Sequence, residues 1–252
     1  IQRMGKGDLS ARVQVKGSGE MRALAQAYNA MAEKLESLDQ SRNQFVSNAS
    51  HELKTPMTTL KIMLQSLIAQ PDMPAELRTE FMQDMDHEID RLTGIVNDLL
   101  TLTRMDSHAM TLKLGSLDLC ELAQSTLRRL EPMAEQRGQR LTADLSESLP
   151  LTADGAKLEQ VMYNLVENAV KYTPEGGHIH VAVFRTGKQA VFAVTDDGPG
   201  IPAEDQPHIF DRFYRVDKAR SRETGGTGLG LSIVKQIVAL HHGTVTVESQ
   251  EG

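Results

Sequence analysis

The segment SHELKTPMTTLKIMLQSLIA, residues 50–69, is followed by QPDMP, residues 70–74, and together they predict a long helix that ends in a turn. A second helical pattern follows the turn, so we expect a helical hairpin. One apolar stripe per helix cannot enclose a core, and two hairpins are expected to pair as a four-helix bundle. The predicted stripes are Ala49, Leu53, Met57, Leu60 and Leu64, then Leu77, Phe81, Met85, Ile89, Leu92, Val96, Leu99 and Leu102.

His51 lies two positions from both Ala49 and Leu53, about 200° around a helix, so we expect it to face solvent. Pro56 follows within the same helix, where a proline removes a donor and costs roughly 3 kcal/mol. That cost beside an exposed His-Glu pair indicates a functional site; the alternatives are an ordinary solvated histidine and a harmless kink. A zinc protease motif H-E-x-x-H is excluded, because Thr55 stands where the second His is needed.

The first 37 residues predict a glycine-containing connector followed by a helix. Apolar residues on that helix alternate at four- and three-residue spacing, which is typical of a heptad seam, with Arg42 interrupting it. A seam of this length needs a partner helix, although an ordinary amphipathic surface helix is the alternative. The seam positions are Leu24, Tyr28, Met31, Leu35, Leu38 and Phe45.

From about residue 115 helical patterns alternate with short strand patterns, which predicts an α+β layered fold. Helices are expected at 121–138, 158–172 and 231–240, and strands at 179–184 and 190–195. A further strand is expected to start at 244–248. On the helix at 158–172, Asn164, Asn168 and Lys171 share one face. Amide oxygens can ligate Mg2+ and a lysine can neutralise phosphate, although many polar helix faces are simply solvated.

Two glycine-rich turns complete the candidate site. Asp196-Asp197-Gly198-Pro199-Gly200-Ile201 follows a strand, and its glycines allow the backbone to approach a ligand. Residues 225–232, GGTGLGLS, precede a helix whose free N–H groups suit phosphate. They match neither a P-loop nor a dinucleotide fingerprint, because the required Lys and third Gly are missing. The patternless stretch between them indicates a lid or a disordered loop, and the aromatics of Phe210–Arg215 could anchor a lid.

Composition narrows the function classes. A net charge of -7 argues against nonspecific nucleic-acid binding, so no nucleic-acid partner is expected. Cys120 is the single cysteine, which excludes an intramolecular disulfide and a cysteine zinc site and fits a reducing compartment. The chain begins at Ile1 and stops at Gly252 within recognisable patterns, so we interpret it as a fragment of a longer protein.

Taken in this order, the motifs resemble those of the sensor histidine kinases of bacterial two-component systems. Residues 50–56 look like their H box, 164–172 the N box, 196–201 the G1 box, 209–215 the F box and 226–231 the G2 box. The resemblance implies a multidomain chain: the second half of a HAMP module (1–37), a dimeric all-α phosphotransfer hairpin (38–110), and an α+β sandwich ATP-binding domain of the gyrase, heat-shock and kinase type (115–252), cut off after Gly252.

The resemblance also implies roles. His51 is the expected phospho-acceptor, Glu52 orients its imidazole, and Thr55 positions a water for dephosphorylating a response regulator. Asn168 is expected to ligate Mg2+. The residues implied in ATP binding are Asn164 beside Asn168, Lys171 and Arg215 on phosphates, Asp196 on the adenine amino group, Tyr172 and Ile201 lining the pocket, Gly198 and Gly200 in the G1 turn, and Gly226, Thr227, Gly228, Leu229 and Gly230 at the phosphates and lid.

The implied function is ATP-dependent autophosphorylation, then transfer to an aspartate of a response regulator, with a phosphatase activity as well. The implied partners are a second copy of the chain and that regulator, and the implied location is the cytoplasmic portion of an inner-membrane protein. One alternative is an ATP-binding dimerisation module that does no chemistry on histidine, although such ATPases lack the His-bearing hairpin. The other alternative is a degenerate scaffold whose nucleotide site is inactive. The presence of Asn168, Asp196 and Gly228 argues against it.

Overall fold

A computed structural model describes residues 9–15, 19–106, 111–145, 148–217 and 226–251. The chain divides into two compact units, residues 1–85 and 86–252. Among the described residues, none of the helices combines the length and the apolar character that a membrane crossing requires.

Helix α1 (Glu20–Ala69) dominates the first unit, and helix α2 (Ala75–Asp106) begins there. The predicted turn at residues 70–74 is confirmed, with the Gln70 N–H donating to the Ser66 carbonyl at 3.2 Å. The helix continues through Pro56, which is buried. The connector before α1 lies along it, because the Asn29 side chain forms two hydrogen bonds with the Val13 backbone, at 2.8 and 2.9 Å.

The apolar stripe on α1 is less buried than its periodicity predicts. Met57 is 61% exposed and Leu64 48% exposed, so the prediction that they are buried is wrong for the single chain. The seam residues Leu24, Met31, Leu35 and Leu38 are exposed as well. A lone helix has a stripe but no second surface to cover it, which is why the pattern and the burial differ.

The stripe predicted on α2 also needs correction. Leu77, Ile89 and Val96 of the predicted stripe are exposed, whereas Leu102 is buried as predicted, together with Ile95 and Met105 from outside the stripe. Ile95 was not in the predicted stripe, although it lies only about 100° from Val96 around the helix. Ile95 shares a face with Leu92 and Leu99 of the stripe, three and four positions away, and this part of α2 belongs to the second unit.

The second unit is an α+β domain, as predicted. Its elements are β1 (Gly115–Asp118), α3 (Leu119–Gln136), β2 (Arg140–Leu145), β3 (Pro150–Ala153), α4 (Gly155–Tyr172), β4 (His178–Thr186), β5 (Gln189–Asp196) and α5 (Gly230–Leu240). Strand β2 pairs in parallel with β4, which pairs antiparallel with β5, and β1 pairs antiparallel with β3. The predicted helices and the two predicted strands of the sheet are present, while β1, β2 and β3 were missed.

Helices α3 and α4 pack on one face of the three-stranded sheet and thereby fix the orientation of α4. Ile179 and Val181 of β4 are fully buried against Leu130 of α3 and against Val166 and Val170 of α4. Helix α5 packs against α4. This packing places the polar face of α4 beside the start of α5.

The strand predicted from Thr244 is wrong, since residues 243–251 contain no strand. Val245 and Val247 are half-buried between exposed neighbours, so the burial alternates as in a strand. The segment forms no ladder with the sheet. It is held instead at the turn after β5, where the Ile201 N–H donates to Ser249 Oγ at 2.9 Å.

Candidate functional site

His51 is exposed on α1, as its position opposite the apolar stripe predicts. Glu52 beside it is half-buried, and Thr55 one turn later is exposed. The Thr55 hydroxyl donates to the His51 carbonyl at 3.3 Å. That distance is long for an O–H···O hydrogen bond, so the hydroxyl can leave its own helix at little cost and bind another group.

A shallow depression on the same helix combines apolar and basic side chains. It is lined by Leu53, Met57, Lys54 and Lys61, with Ser50 next to His51 at one end. Exposed Met57 and half-buried Leu53, flanked by lysines, suit a partner surface that is apolar with acidic groups. The exposed imidazole of His51 therefore lies beside a surface suited to a partner.

The polar face of α4 is tied to the glycine loop before α5. The Asn164 side chain donates from Nδ2 to the Gly230 carbonyl at 3.2 Å. Asn168 lies one turn further along and is half-buried. The structure thus brings the predicted residues Asn164 and Gly230 together and holds the start of α5 against this face.

Lys171 forms an ion pair that the motif analysis missed. Its Nζ lies 3.1 Å from Glu167 Oε2, and both side chains are about three-quarters buried. The i, i+4 spacing of Glu167 and Lys171 was the available signal for this pair. For Lys171 to contact a phosphate, it must exchange this carboxylate for the ligand.

Asp98 of α2 is a further acidic group near this face, and no motif pointed to it. Burial, and to a smaller extent the charge of Glu167, raise the pKa of the Asp98 carboxyl to about 6 against the opposing charge of Lys171. The C-terminal part of α2 thus places a carboxyl group that is hard to ionise close to the residues beside Asn168.

Replacing Asp98 by Asn is expected to stabilise the folded chain at pH 7.5. The unfolded Asp98 ionises near pH 3.8 and the folded one near 6. Stability due to this group is therefore complete below pH 3.8 and is lost as the pH rises to 6. A shift of this size is at most about 3 kcal/mol, and solvent screening reduces it to about 1–2 kcal/mol.

Urea unfolding at pH 4 and 7.5 measures this effect. Asp98→Asn should gain stability at pH 7.5 and show a flatter dependence on pH, whereas Asp90→Asn, at an exposed position of the same helix, should change neither. Equal stability of the Asp98 variant and the parent at pH 7.5 would contradict the raised pKa.

The turn after β5 needs both of its glycines. Asp196 Oδ1 accepts from the Gly198 N–H at 3.0 Å, and a Cβ at Gly198 would lie 2.6 Å from the same oxygen. Gly200 has φ +74°, and a Cβ there would meet the Gln250 carbonyl oxygen. We predicted that a ligand would come close to the backbone of this turn. At Gly200 the closely approaching group is instead the chain's own backbone at Gln250.

The glycine loop before α5 is joined to the segment predicted to anchor a lid. The Phe213 N–H donates to the Gly228 carbonyl at 2.8 Å, and a Cβ at Gly228 would lie 2.8 Å from the Phe213 carbonyl carbon. Leu229 is fully buried and its N–H donates to Thr227 Oγ1 at 3.2 Å. Residues 218–225 of the predicted lid, including Gly225, lie outside the described residues.

Arg212 connects the same segment to the end of α2. Its two terminal nitrogens lie 2.8 and 2.6 Å from the two carboxylate oxygens of Asp106. Such a bidentate pair is the stronger form of an Arg–carboxylate contact. Arg215, which the resemblance assigns to phosphate, is half-buried three residues later.

Three family models match successive parts of the chain. The HAMP domain matches residues 1–37, the His Kinase A (phospho-acceptor) domain residues 41–108, and the histidine kinase-, DNA gyrase B- and HSP90-like ATPase residues 153–252. His51 lies in the second of these, and Asn168, Asp196 and Gly228 lie in the third.

The chain belongs to the sensor histidine kinases of two-component systems. Sensor histidine kinase WalK of Bacillus subtilis is 37% identical over 219 residues, 86% of this chain and 36% of WalK. Alginate biosynthesis sensor protein KinB of Pseudomonas aeruginosa is 40% identical over 213 residues, 84% of this chain and 35% of KinB. The chain thus spans about a third of the length of these relatives.

Solved histidine kinases share the fold. Acinetobacter baumannii histidine kinase AdeS superimposes with a TM-score of 0.67 at 27% identity, covering 80% of this chain and 92% of AdeS. Full-length ShkA in complex with AMPPNP gives a TM-score of 0.61 at 28% identity, covering 82% of this chain and 43% of ShkA. A helical hairpin followed by an α/β ATPase domain is therefore the architecture of this sensor histidine kinase.

Proposed function

We propose that this chain binds Mg-ATP and transfers the γ-phosphoryl group to His51. The observation that carries the proposal is an exposed imidazole in a phospho-acceptor helix that is continuous in sequence with a histidine kinase-type ATPase domain. An ATPase that did no chemistry on histidine would not need this hairpin. The exposure of His51 supplies the access that an acceptor requires.

On the acceptor side, phosphoryl transfer needs only two groups: the His51 imidazole as the attacking group and the Glu52 carboxylate as the proton acceptor. One ring nitrogen of His51 attacks the γ-phosphorus with its lone pair, and the bond from that phosphorus to the bridging oxygen of ADP breaks. The positive charge that forms on the ring is relieved when the other ring nitrogen gives its proton to Glu52. Glu52 thus selects the reactive tautomer before the reaction and accepts the proton during it.

The nucleotide site fits Mg-ATP. Among the described residues, no group of three or more His, Cys, Asp or Glu could hold a metal ion. A site that offers the Asn168 amide suits Mg2+, which binds through few protein ligands together with substrate phosphates and water. When bound, Mg2+ neutralises phosphate charge. Lys171 and Arg215 would add to this, and Asp196 would accept from the adenine amino group.

Incubation with γ-labelled ATP and Mg2+, followed by acid and alkali treatment, tests the reaction. A phosphoramidate on histidine loses its label in acid and keeps it in alkali. A label stable in acid and lost in alkali would indicate a hydroxyl acceptor and would refute the proposal. A chain that takes up no label would refute it equally.

We also propose a parallel homodimer, a response-regulator partner and anchoring of the parent protein in the inner membrane, with this chain on the cytoplasmic side. The exposed stripes at Leu24–Leu38 and at Met57 and Leu64 support pairing with a second copy. The match to a HAMP domain supports the membrane anchor. Light scattering at micromolar concentration should give twice the chain mass, and fractionation of the full-length protein should place it with membranes.

Two activities on α1 are expected to separate by mutation. Glu52→Ala should mainly lower autophosphorylation, because the imidazole loses the group that fixes its tautomer, by about tenfold to a hundredfold. Thr55→Ala should mainly lower dephosphorylation of the regulator, because hydrolysis needs a held water and a hydroxyl can both donate to it and accept from it. The weak bond from Thr55 to the His51 carbonyl leaves that hydroxyl available.

Both rates are measured for both variants with the cognate regulator, and Thr79→Ala serves as a control. Thr79 is exposed on α2 and donates to the Ala75 carbonyl at 2.9 Å, so it makes the same kind of hydrogen bond on a different helix from His51. If Thr55→Ala lowers both activities equally, the division of labour is wrong. If it changes only thermal stability, Thr55 merely packs near Pro56.

A further inference from the structure

Two histidines share the sheet face opposite the core. His178 and His180 are two residues apart on β4, so their side chains point to the same side, away from buried Ile179 and Val181. His178 is exposed and His180 half-buried. Their ring centroids are 6.3 Å apart. Neither ring belongs to the proposed nucleotide or phospho-acceptor residues.

The two rings direct nitrogens at one oxygen atom. Thr142 on the neighbouring strand β2 has its hydroxyl 2.7 Å from His178 Nε2 and 3.0 Å from His180 Nδ1. A hydroxyl has one proton and can donate to at most one of the two nitrogens, and it also lies 3.4 Å from the Ile179 carbonyl. Both ring nitrogens nevertheless point at one position on the protein surface, and each presents a lone pair there when its ring carries the proton on the other nitrogen.

Asp144 completes the arrangement on the far side of His180. Its Oδ2 lies 3.4 Å from His180 Nε2, and the carboxylate is 85% exposed. A carboxylate facing the second nitrogen is the usual partner of a metal-ligating histidine, because it fixes the N–H on that side. His180 then presents the lone pair of Nδ1 toward Thr142.

We propose that His178 Nε2 and His180 Nδ1 bind one divalent transition-metal ion of the Zn2+ or Cu2+ class. Imidazole suits these ions, whereas Mg2+ prefers oxygen ligands, so this site and the Asn168 site select different metals. The Thr142 hydroxyl rotates away when the ion binds. Water completes the coordination, because the described residues present no cluster of three or more metal-ligating side chains.

The charges around the pair set the strength of the site. Asp144 favours a cation, whereas Arg140, which pairs with His178 in the β2–β4 register, opposes it. Two protein ligands and one opposing charge make binding weaker than at a zinc site with three or four protein ligands, too weak for a permanently filled structural site. The His178 N–H also donates to Asp197 Oδ1 at 2.8 Å, so the site adjoins the turn that carries Asp196.

Calorimetric titration of the tag-free chain with ZnCl2, in excess Mg2+ at pH 7.5, tests the site. We expect one Zn2+ per chain. His178→Gln and His180→Gln should each weaken binding at least about tenfold, and Asp144→Asn by about tenfold. His87→Gln, at an exposed position of α2, should leave binding unchanged. Lowering the pH to 6 should weaken binding, because a protonated imidazole cannot ligate a metal.

Unchanged Zn2+ affinity in the His178 and His180 variants, or an equal loss in the His87 variant, would overturn the proposal. Circular dichroism and retained ATP binding show that each variant is folded. If a histidine variant does not fold, electron paramagnetic resonance of the parent chain with Cu2+ decides the matter. Coupling to two nitrogen donors supports the site, and coupling to one or none overturns it.

Discussion

Substitution of His51 by Gln is expected to abolish incorporation of label from γ-labelled ATP, by at least about a thousandfold. Gln keeps the length and polarity of the side chain and tolerates a helix, but it has no nitrogen lone pair that can attack phosphorus. His51 is exposed and makes no packing contribution that its loss would remove. ATP affinity should therefore stay within about twofold of the parent value.

The matched control for that experiment is His87→Gln, which removes an exposed histidine from α2 and should retain full labelling. Mixing His51→Gln chains with chains that cannot bind ATP is a second control, because only the His51-bearing chains can take up label. Full incorporation by the His51 variant would move the acceptor to another residue and would end the proposal in its present form.

The helical hairpin could be predicted because its signals are local. Pro71 and Pro74 end one helix and start the next, and α1 does end at Ala69 and α2 begin at Ala75. Which face of α2 becomes buried could not be predicted in the same way. Ile95 and Val96 are equally apolar, and only the packing of the folded unit makes the first buried and the second exposed.

The missed strands show the limit of periodicity. Strands β1 and β3 have four residues each, GSLD and PLTA, too short for an alternating pattern to stand out. Strand β2, RLTADL, alternates polar and apolar residues over only six positions and lies at the edge of its sheet. Residues 244–248 have the opposite problem, since they alternate well and yet form no ladder. Pairing depends on a partner strand that a local pattern does not reveal.

The site divides in the same way between local and tertiary signals. Motif spacing predicted the shared face of Asn164 and Asn168, and the structure adds the contact of Asn164 with Gly230. Asp98 carries no motif, because its significance comes only from burial near Glu167 and Lys171. Residues whose role is expected from their side-chain type could be proposed from the sequence, whereas Asp98, whose pKa depends on its surroundings, could not.

Asn168→Ala is expected to lower autophosphorylation by about a hundredfold, because the variant lacks the amide that we propose as the Mg2+ ligand while phosphate charge remains. ATP binding should no longer strengthen when Mg2+ is added. Asn164→Ala should behave differently, because Asn164 donates to the Gly230 carbonyl at 3.2 Å and so holds the glycine loop in place. Its loss should weaken ATP binding with and without Mg2+ alike.

Titration of ATP with Mg2+ or with EDTA separates the two variants, and Asn97→Ala at an exposed position of α2 controls for the loss of an amide. The ratio of the two affinities isolates the metal, since contacts to adenine and to the glycine loop are present in both buffers. In Asn168→Ala this ratio should fall to about one. A ratio equal to that of the parent would mean that Asn168 is only a solvated amide on α4 and that Mg2+ is held elsewhere.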